Sequence, residues 1–334
     1  MNSILRRAMT RTRHCTLRVS LCVLSFSILL LPGIQVAMAA ELEASAWLKK
    51  MGNALLTENY EGIYTHTYGY NYDTVKIIHQ FKNGQESERR IHLNGEQREL
   101  TRVDGELVCH HAKSGRLDFN HPTTPKPFTH AFNDNLATYQ YFYNISILGR
   151  DRVAGRKTIV LLISPKYSDR LGYELWLDEE TGLLLESRLI NQGKVQEAVQ
   201  FSRIVIGEDF QDEQLLSALT GEVVKHEVSE PTLEVAQTKP VVKPEWHVAW
   251  VPNGFQSMQQ AAKNRFSYSD GLATISVFVE TVSNTRTGEV VARRGGTIVI
   301  SRQRKGSHQL VTVVGEVPLD TARKIADSVE PVIY

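Results

Sequence analysis

The fold of this 334-residue chain is decided by residues 60–115, which read YEGIYTHTYGYNYDTVKIIHQFKNGQESERRIHLNGEQRELTRVDGELVCHHAKSG. Four turn signals recur in this stretch every 10 or 11 residues: Asn83-Gly84, Asn94-Gly95, Asp104-Gly105 and Ser114-Gly115. Asn-Gly and Asp-Gly pairs adopt positive φ at little cost and therefore favour tight hairpins. Because short strand-like segments lie between the turns, the stretch predicts an antiparallel meander.

The first 39 residues have the composition of a secretory leader. Residues 1–18 contain five arginines and no acidic residue, and an apolar run follows over residues 19–31. The small-residue motif at residues 37–39 then predicts cleavage after Ala39 or Ala40. An uncleaved anchor helix is the alternative, but the apolar run is short for a membrane span. The sequence therefore predicts a signal peptide over residues 1–39.

Loss of the leader changes the charge and the cysteine content. Removing its five arginines from 38 basic residues leaves 33 against 37 acidic residues, so the net charge becomes −4. A weakly acidic protein is not a general nucleic-acid binder. Cys109 is the one cysteine that remains, which excludes an intramolecular disulfide. We interpret it as a small buried hydrophobe, with a reactive thiol as the alternative.

Apolar residues at helical spacing follow the leader. They predict an amphipathic helix over residues 47–56 whose apolar face covers a sheet. Roughly ten strand-like segments and this helix favour an α+β fold, with a large curved antiparallel sheet or open half-barrel over residues 40–221. A short helix is predicted over residues 212–219. Residues 121–127 contain three prolines, which are incompatible with a central strand, and are predicted to form a flap over one sheet face.

Residues 222–244 are predicted to link two domains. They contain Pro231, Pro240 and Pro244 and no aromatic residue, which is typical of a semi-extended spacer. Residues 245–334 predict a smaller α+β domain. Its elements are expected as strands over residues 246–252, 272–282, 297–301 and 310–314, a turn or short helix over residues 254–265, and a final helix from Pro318.

No catalytic constellation is evident in the sequence. It contains no Gly-x-Ser-x-Gly elbow, no His-Glu-x-x-His pair and no phosphate-binding glycine loop. The nearest approach to a metal cluster is a group of four histidines: His110, His111, His121 and His130. Adjacent histidines on a strand point to opposite faces, so we interpret the group as polar surface. The alternative is a zinc site to which the predicted flap brings His121 or His130. We predict no catalytic residue, no metal and no cofactor.

Two sets of residues are candidates for binding. Basic residues near turns of the second domain could meet an acidic partner or lipid phosphates, with a solvated rim as the alternative. These residues are Arg286, Arg293, Arg294, Arg302, Arg304 and Lys305. A half-open barrel also leaves a concave apolar face that can hold a lipid chain. The residues expected to line it are Trp47, Leu48, Met51, Leu55, Tyr64 and Tyr68.

Several segments resemble the RseB/MucB family. In the first half they are YEGIY at 60–64, HQF at 79–81, ER at 88–89, LNG at 93–95 and RE at 98–99. In the second half they are DGLATISVFVE at 270–280, VTVVGEVP at 311–318 and the segment 246–255. The resemblance covers nearly the whole chain after the leader, and Cys109 also fits the family pattern.

The resemblance implies a periplasmic negative regulator of an extracytoplasmic stress sigma factor of the sigma-E or AlgU type in a Gram-negative bacterium. Such proteins bind the periplasmic region of a membrane anti-sigma factor of the RseA/MucA type and protect it from regulated proteolysis. Their large domain resembles lipoprotein carriers, and lipid or lipopolysaccharide is expected to release the partner.

Two other function classes stay open. A periplasmic lipid or lipoprotein carrier would use the large sheet but leaves the linker and the second domain unexplained. An exported hydrolase is disfavoured by the missing motifs, so we expect no enzymatic activity. Exposed edges of an unclosed sheet could also pair two chains into a homo-oligomer.

Overall fold

The structure, a computed structural model, describes residues 32–103, 106–111, 139–221, 223–226, 244–258, 263–283 and 288–333. Within it, Ala44–Tyr334 forms one compact unit. The leader before Pro32 and the predicted flap at residues 121–127 lie outside the described residues. None of the helices in the described ranges is long and apolar enough to cross a membrane.

The first sheet contains eleven antiparallel strands. Their bounds are β1 Tyr60–Tyr68, β2 Asn71–Lys82, β3 Gln85–His92, β4 Arg98–Val103, β5 Glu106–His111, β6 Tyr143–Val153, β7 Arg156–Pro165, β8 Gly172–Asp178, β9 Leu184–Asn191, β10 Lys194–Ile206 and β11 Val223–His226. They lie in the order β11-β5-β4-β3-β2-β1-β10-β9-β8-β7-β6. Among the described residues, no strand pairs with the outer side of β11 or β6, so the sheet is open, as the sequence predicts.

The meander over residues 60–111 folds as predicted. Each of β1 to β5 pairs with its neighbour in sequence. Asn83 and Gly84, with φ of 56° and 83°, form the two-residue turn between β2 and β3, which is the conformation that an Asn-Gly pair favours. The signal at residues 94–95 lies in the loop between β3 and β4. Those at residues 104–105 and 114–115 lie outside the described residues.

Helix α1, Pro32–Thr57, packs on the large sheet as the sequence predicts. Leu48 and Met51 lie one turn apart on one helix face, and both are fully buried in a cluster with Leu161 of β7 and Leu175 of β8. Burying each of these side chains stabilises the fold by about 1.5–3 kcal/mol. The helix begins before the predicted cleavage site, which therefore lies within its first turns.

The second half of the chain forms a six-stranded antiparallel sheet, a separate two-stranded ribbon and a covering helix. The bounds are β12 Trp246–Val248, β13 Gln256–Ser257, β14 Arg265–Ser269, β15 Thr274–Thr281, β16 Glu289–Arg294, β17 Thr297–Gln303, β18 Gln309–Gly315 and β19 Val329–Pro331, with helix α2 Asp212–Leu215 before them and helix α3 Leu319–Asp327 between β18 and β19. The sheet order is β13-β14-β15-β18-β17-β16, and β12 pairs with β19 in a separate ribbon. Ile275, Ile300 and Val313 form its core with Ile325 of α3.

Four segments differ from the elements predicted for them. The predicted linker begins with β11, because Val223 and Val224 are β-branched and pair with β5. The strand predicted over residues 246–252 is three residues long and ends before Pro252. Residues 254–265, predicted as a turn or short helix, contain β13 and the first residue of β14 in their described part. The helix predicted over residues 212–219 shortens to one turn. β16 is not among the strands predicted from the sequence.

Candidate functional site

The two sheets meet at a buried contact that we call the inner junction. It contains an ion pair between Arg170 and Asp270 and hydrogen bonds that link these residues to Tyr143 and Asn253. Arg170 lies between β7 and β8, and its guanidinium nitrogen Nη1 is 3.2 Å from Oδ2 of Asp270 in the second sheet domain. The Tyr143 hydroxyl donates to the same oxygen over 2.8 Å. Arg170 also donates to the Asn253 carbonyl over 2.6 Å. Both charged side chains are almost fully buried. Arg170 also contacts Asp169 at 2.8 Å, so two carboxylates balance its charge.

The other carboxylate oxygen of Asp270 holds the backbone of its own turn. It accepts hydrogen bonds from the amides of Leu272 and Ala273 at 3.0 and 2.9 Å. Burial, with the Asp270 charge adding to it, raises the pKa of Tyr139 to about 12, so this neighbouring hydroxyl stays neutral. The polar groups of the inner junction are thus buried and hydrogen-bonded.

Two glycines allow close approach at the inner junction. Gly254 and Gly271 have φ of 92° and 91°, a conformation that favours glycine. A Cβ at Gly254 would collide with the ring of Phe142, and one at Gly271 would collide with Tyr139. The backbone at these two glycines therefore lies directly against the aromatic rings of Phe142 and Tyr139.

A second contact, which we call the outer junction, is made by His66, Tyr68, Glu197, Arg294 and Gly296. Arg294 lies over the ring of Tyr68 at 4.7 Å and donates to its hydroxyl over 3.0 Å. The Gly296 amide donates to Glu197 over 3.0 Å, and His66 is 2.7 Å from the other oxygen of Glu197. Burial opposes ionisation of Glu197, but these hydrogen bonds and the nearby positive charges lower its pKa. The carboxylate is therefore held as an anion.

An open cavity of about 410 Å³ borders the outer junction. We call it the outer cavity, and it lies where three hairpins converge. Its walls are formed by Thr67, Tyr68, Gly69, Tyr70, Asn71, Val195, Gln196, Glu197, Ala198, Arg293, Arg294 and Gly295. Tyr70 is fully exposed and Val195 is 53% exposed. Arginine and tyrosine beside exposed apolar surface are typical of protein-binding sites.

A carboxylate without a cation beside it lies close to both junctions. Glu316 follows β18, and within the described part of the chain its side chain has no hydrogen bond or ion pair. Burial, then the negative charges of Glu197 and Asp270, raise the pKa of Glu316 to about 7. Its ionisation therefore falls within the physiological pH range and adds a negative charge between the sheets.

A charged cluster within the large sheet is structural. Glu88 is almost fully buried and lies 2.7 Å from Arg90. His79, also buried, is 3.0 Å from Glu86 and stacks on Tyr60. These partners satisfy the charges inside the sheet domain, so we assign the cluster no reactive role.

The structure separates the predicted basic cluster. Arg293 and Arg294 lie at the outer junction, where Arg293 donates to Gln196 over 2.6 Å. Arg302 pairs with Asp327 at 2.8 Å, and Arg304 lies over the ring of Trp246. Lys305 is exposed in the turn after β17, and Arg286 lies outside the described residues. Two of the six thus remain at one candidate site.

The residues predicted to line a lipid site lie in three separate regions of the structure. Leu48 and Met51 belong to the packed core, with Trp47 and Leu55 partly buried against it. Tyr64 packs edge-on against Phe201, whereas Tyr68 lies at the outer cavity.

The histidines do not assemble into a metal site where the structure describes them. No group of three or more potential ligands occurs among the described residues, and His121 and His130 lie outside them. His110 shares a hydrogen bond with Thr101 at 3.0 Å. Cys109 is half-buried, and burial raises the pKa of its thiol, which disfavours the reactive thiolate.

Family models match both halves of the chain. The MucB/RseB N-terminal domain model matches residues 43–219, and the MucB/RseB C-terminal domain model matches residues 241–330. The chain belongs to the MucB/RseB family. The resemblance noted in the sequence motifs is thereby confirmed.

Relatives of this MucB/RseB family member carry regulatory names. The sigma factor AlgU regulatory protein MucB of Pseudomonas aeruginosa is 31% identical, over 93% of this chain and 97% of the relative. The sigma-E factor regulatory protein RseB of Haemophilus influenzae is 28% identical, over 92% and 96%. The family is thus a family of regulatory proteins.

Solved structures of a family member match the fold. The complex of Pseudomonas aeruginosa MucA and MucB has a TM-score of 0.71 at 29% identity, covering 87% of this chain and 100% of the matched chain. MucB in complex with the periplasmic part of MucA has a TM-score of 0.68 at 28% identity, with the same coverage.

Proposed function

We propose that this MucB/RseB family member binds the periplasmic region of a membrane anti-sigma factor and protects it from regulated proteolysis. The observation that carries this proposal is the similarity, over the full length of the matched chain, to MucB as it occurs in complex with MucA. The regulatory names of its relatives support the same role. The protein would therefore act by binding rather than by catalysis.

The proposed location is the periplasm of a Gram-negative bacterium. The basic, apolar and small-residue order of residues 1–39 supports export. Cleavage after Ala39 or Ala40 would remove the first turns of helix α1 and leave the buried Leu48 and Met51 in place. The packed part of the helix would survive processing.

The outer cavity is the proposed partner site. Arg293 and Arg294 present positive charge there, and Tyr70 offers an exposed aromatic ring. Arginine and tyrosine are enriched in protein interfaces because they combine large contact area with directional hydrogen bonds. An acidic segment of the anti-sigma factor fits this chemistry.

A lipid or lipopolysaccharide ligand is proposed as the signal that releases the partner. Trp47 and Leu55 lie partly buried against one core cluster of the large sheet domain, and Tyr64 lies partly buried against another. Their exposed parts would contact an acyl chain. A ligand shifts the protein only if it binds one arrangement better than another. Lipid and partner would therefore favour different arrangements of the two sheets.

The test is a titration of the purified chain with the periplasmic segment of the organism's own MucA-type protein. Binding by isothermal titration calorimetry, and slower cleavage of that segment by the protease that normally begins its degradation, are expected. Arg293→Glu should weaken binding and reduce its salt dependence, whereas Lys305→Glu, in a turn away from the outer cavity, serves as the matched control. No binding with or without lipid would overturn the proposal.

A further inference from the structure

The edge strands of the two sheets differ in the features that prevent them from pairing with a further strand. Natural edge strands are short, bulged or charged, because a free row of backbone N–H and C=O groups attracts other strands. β11 has four residues and β13 has two. β6 is longer, but it has a register shift after Ile147 and then the charged run Arg150-Asp151-Arg152. Each of these edges carries a protective feature.

β16 is the exception. It pairs with β17 over six residues without a register shift, and no other strand in the described ranges pairs with its opposite side. Five of its six residues are exposed, and its centre is apolar, with Val290 60% and Val291 43% exposed. It contains no proline, and its charges stand only at the two ends. Such a regular edge with an apolar centre is suited to accept a further strand.

The edge of β16 leads into the outer cavity. Arg293 and Arg294 end the strand and form part of the cavity wall together with Tyr70 and Val195. An extended segment lying along β16 would therefore continue into a space that offers positive charge and exposed apolar surface. Charge complementarity favours an acidic residue at that end of the segment.

We propose that the free edge of β16 receives an extended segment of the protein partner, which joins the second sheet as an additional antiparallel or parallel strand and places an acidic side chain beside Arg293 and Arg294. The identity of the partner rests on the proposed function, whereas the mode of binding rests on the edge itself. Backbone hydrogen bonds along β16 would supply affinity that depends little on the sequence of the bound segment. Side-chain contacts in the outer cavity would select which segment binds.

The first experiment replaces an exposed valine of this edge with lysine. Val290→Lys places a charge where a paired strand would have to bury it, which is how natural edges prevent pairing. Affinity for the periplasmic segment of the MucA-type protein, measured by calorimetry, should fall about tenfold or more, which corresponds to about 1.4 kcal/mol. Leu148→Lys on β6, where the leucine is 54% exposed, is the matched control and should bind like the wild type.

The second experiment needs no variant. Hydrogen–deuterium exchange of the wild-type chain, with and without the same segment, reports on the backbone amides of residues 289–294. Amides that point away from β17 should exchange much more slowly in the complex, while those of β6 keep their rate. This measurement keeps the proposal testable even if Val290→Lys lowers the folding stability.

The outcomes separate the two proposals. If the wild-type chain does not bind the segment, the proposed function fails. If it binds but Val290→Lys binds equally well and β16 gains no protection, the edge proposal is overturned and the function stands. If Val290→Lys instead changes the oligomeric state in sedimentation velocity without changing segment affinity, a second copy of this chain is the occupant, and the proposal is again overturned.

Discussion

The inner and outer junctions join the same two sheets by different means. At the inner junction, Arg170 and Asp270 are buried and held by several hydrogen bonds. At the outer junction, Arg294 is only partly buried and borders an open cavity. The inner junction has the character of a fixed pivot, and the outer junction has that of a contact that a ligand can replace. The difference indicates that the two sheets can separate at the outer junction with a smaller loss of free energy than at the inner junction.

The largest expected effect comes from breaking the inner junction. Asp270→Ala removes one of the two carboxylates of the buried Arg170, the other being Asp169 at 2.8 Å. It also leaves the Tyr143 hydroxyl and two turn amides without their acceptor, so the free energy of unfolding should fall by about 3–5 kcal/mol. Urea denaturation followed by circular dichroism measures this. Asp327→Ala removes the exposed partner of Arg302 and should cost less than about 1 kcal/mol. Equal losses for the two variants would contradict the contrast between buried and exposed pairs.

An intermediate effect is expected from pH, through Glu316. Its pKa is raised from 4.5 to about 7 in the folded protein, so the folded state binds the proton more tightly than the unfolded state. The stability from this group is complete below pH 4.5 and is lost as the pH rises through about 7. The loss should amount to about 1–3 kcal/mol after allowance for partial exposure.

Thermal unfolding from pH 4.5 to 8 tests the Glu316 prediction. Glu316→Gln should remove most of the decline across this range, because the amide does not ionise. Glu208→Gln, on an exposed loop residue, should leave the decline unchanged. A decline that persists fully in Glu316→Gln would assign the pH dependence to another group.

The smallest effect is expected at the outer junction. Arg294→Ala removes a cation–π contact and a hydrogen bond at a partly exposed site, so the free energy of unfolding should fall by about 0.5–1 kcal/mol. Exchange of backbone amides near Tyr68 and Gly296 should nevertheless accelerate, while amides near Asp270 keep their rate. If amides at both junctions accelerate equally, the two contacts open together and the pivot interpretation is wrong.

Local patterns predict the large sheet well. Asn83-Gly84 specifies its turn by backbone conformation alone, and the helical spacing of Leu48 and Met51 identifies the buried face of α1. The spacing of the same two residues identifies an apolar face, but only the fold shows that packed strands rather than a ligand cover that face.

The candidate site depends on contacts that no local pattern contains. Arg170 and Asp270 are separated by 100 positions, and Glu197 meets the Gly296 amide across 99. The family-like motif at residues 270–280 drew attention to Asp270 without indicating its partner. Conversely, the basic residues between 286 and 305 are close in sequence, but the hairpin of β16 and β17 separates Arg293 from Arg304.

Strand β11 bears on the reach of the chain between the two sheets. It is the start of the predicted linker, and it is held to β5 by a register of four residues. Peeling it from the edge would release a further length of roughly 13 Å, at about 3.3 Å per residue. β11 is the shortest strand of the large sheet and lies at its edge. Its detachment would therefore break the fewest backbone hydrogen bonds. Detachment of β11 would lengthen the predicted linker while the meander that begins at Tyr60 stays paired.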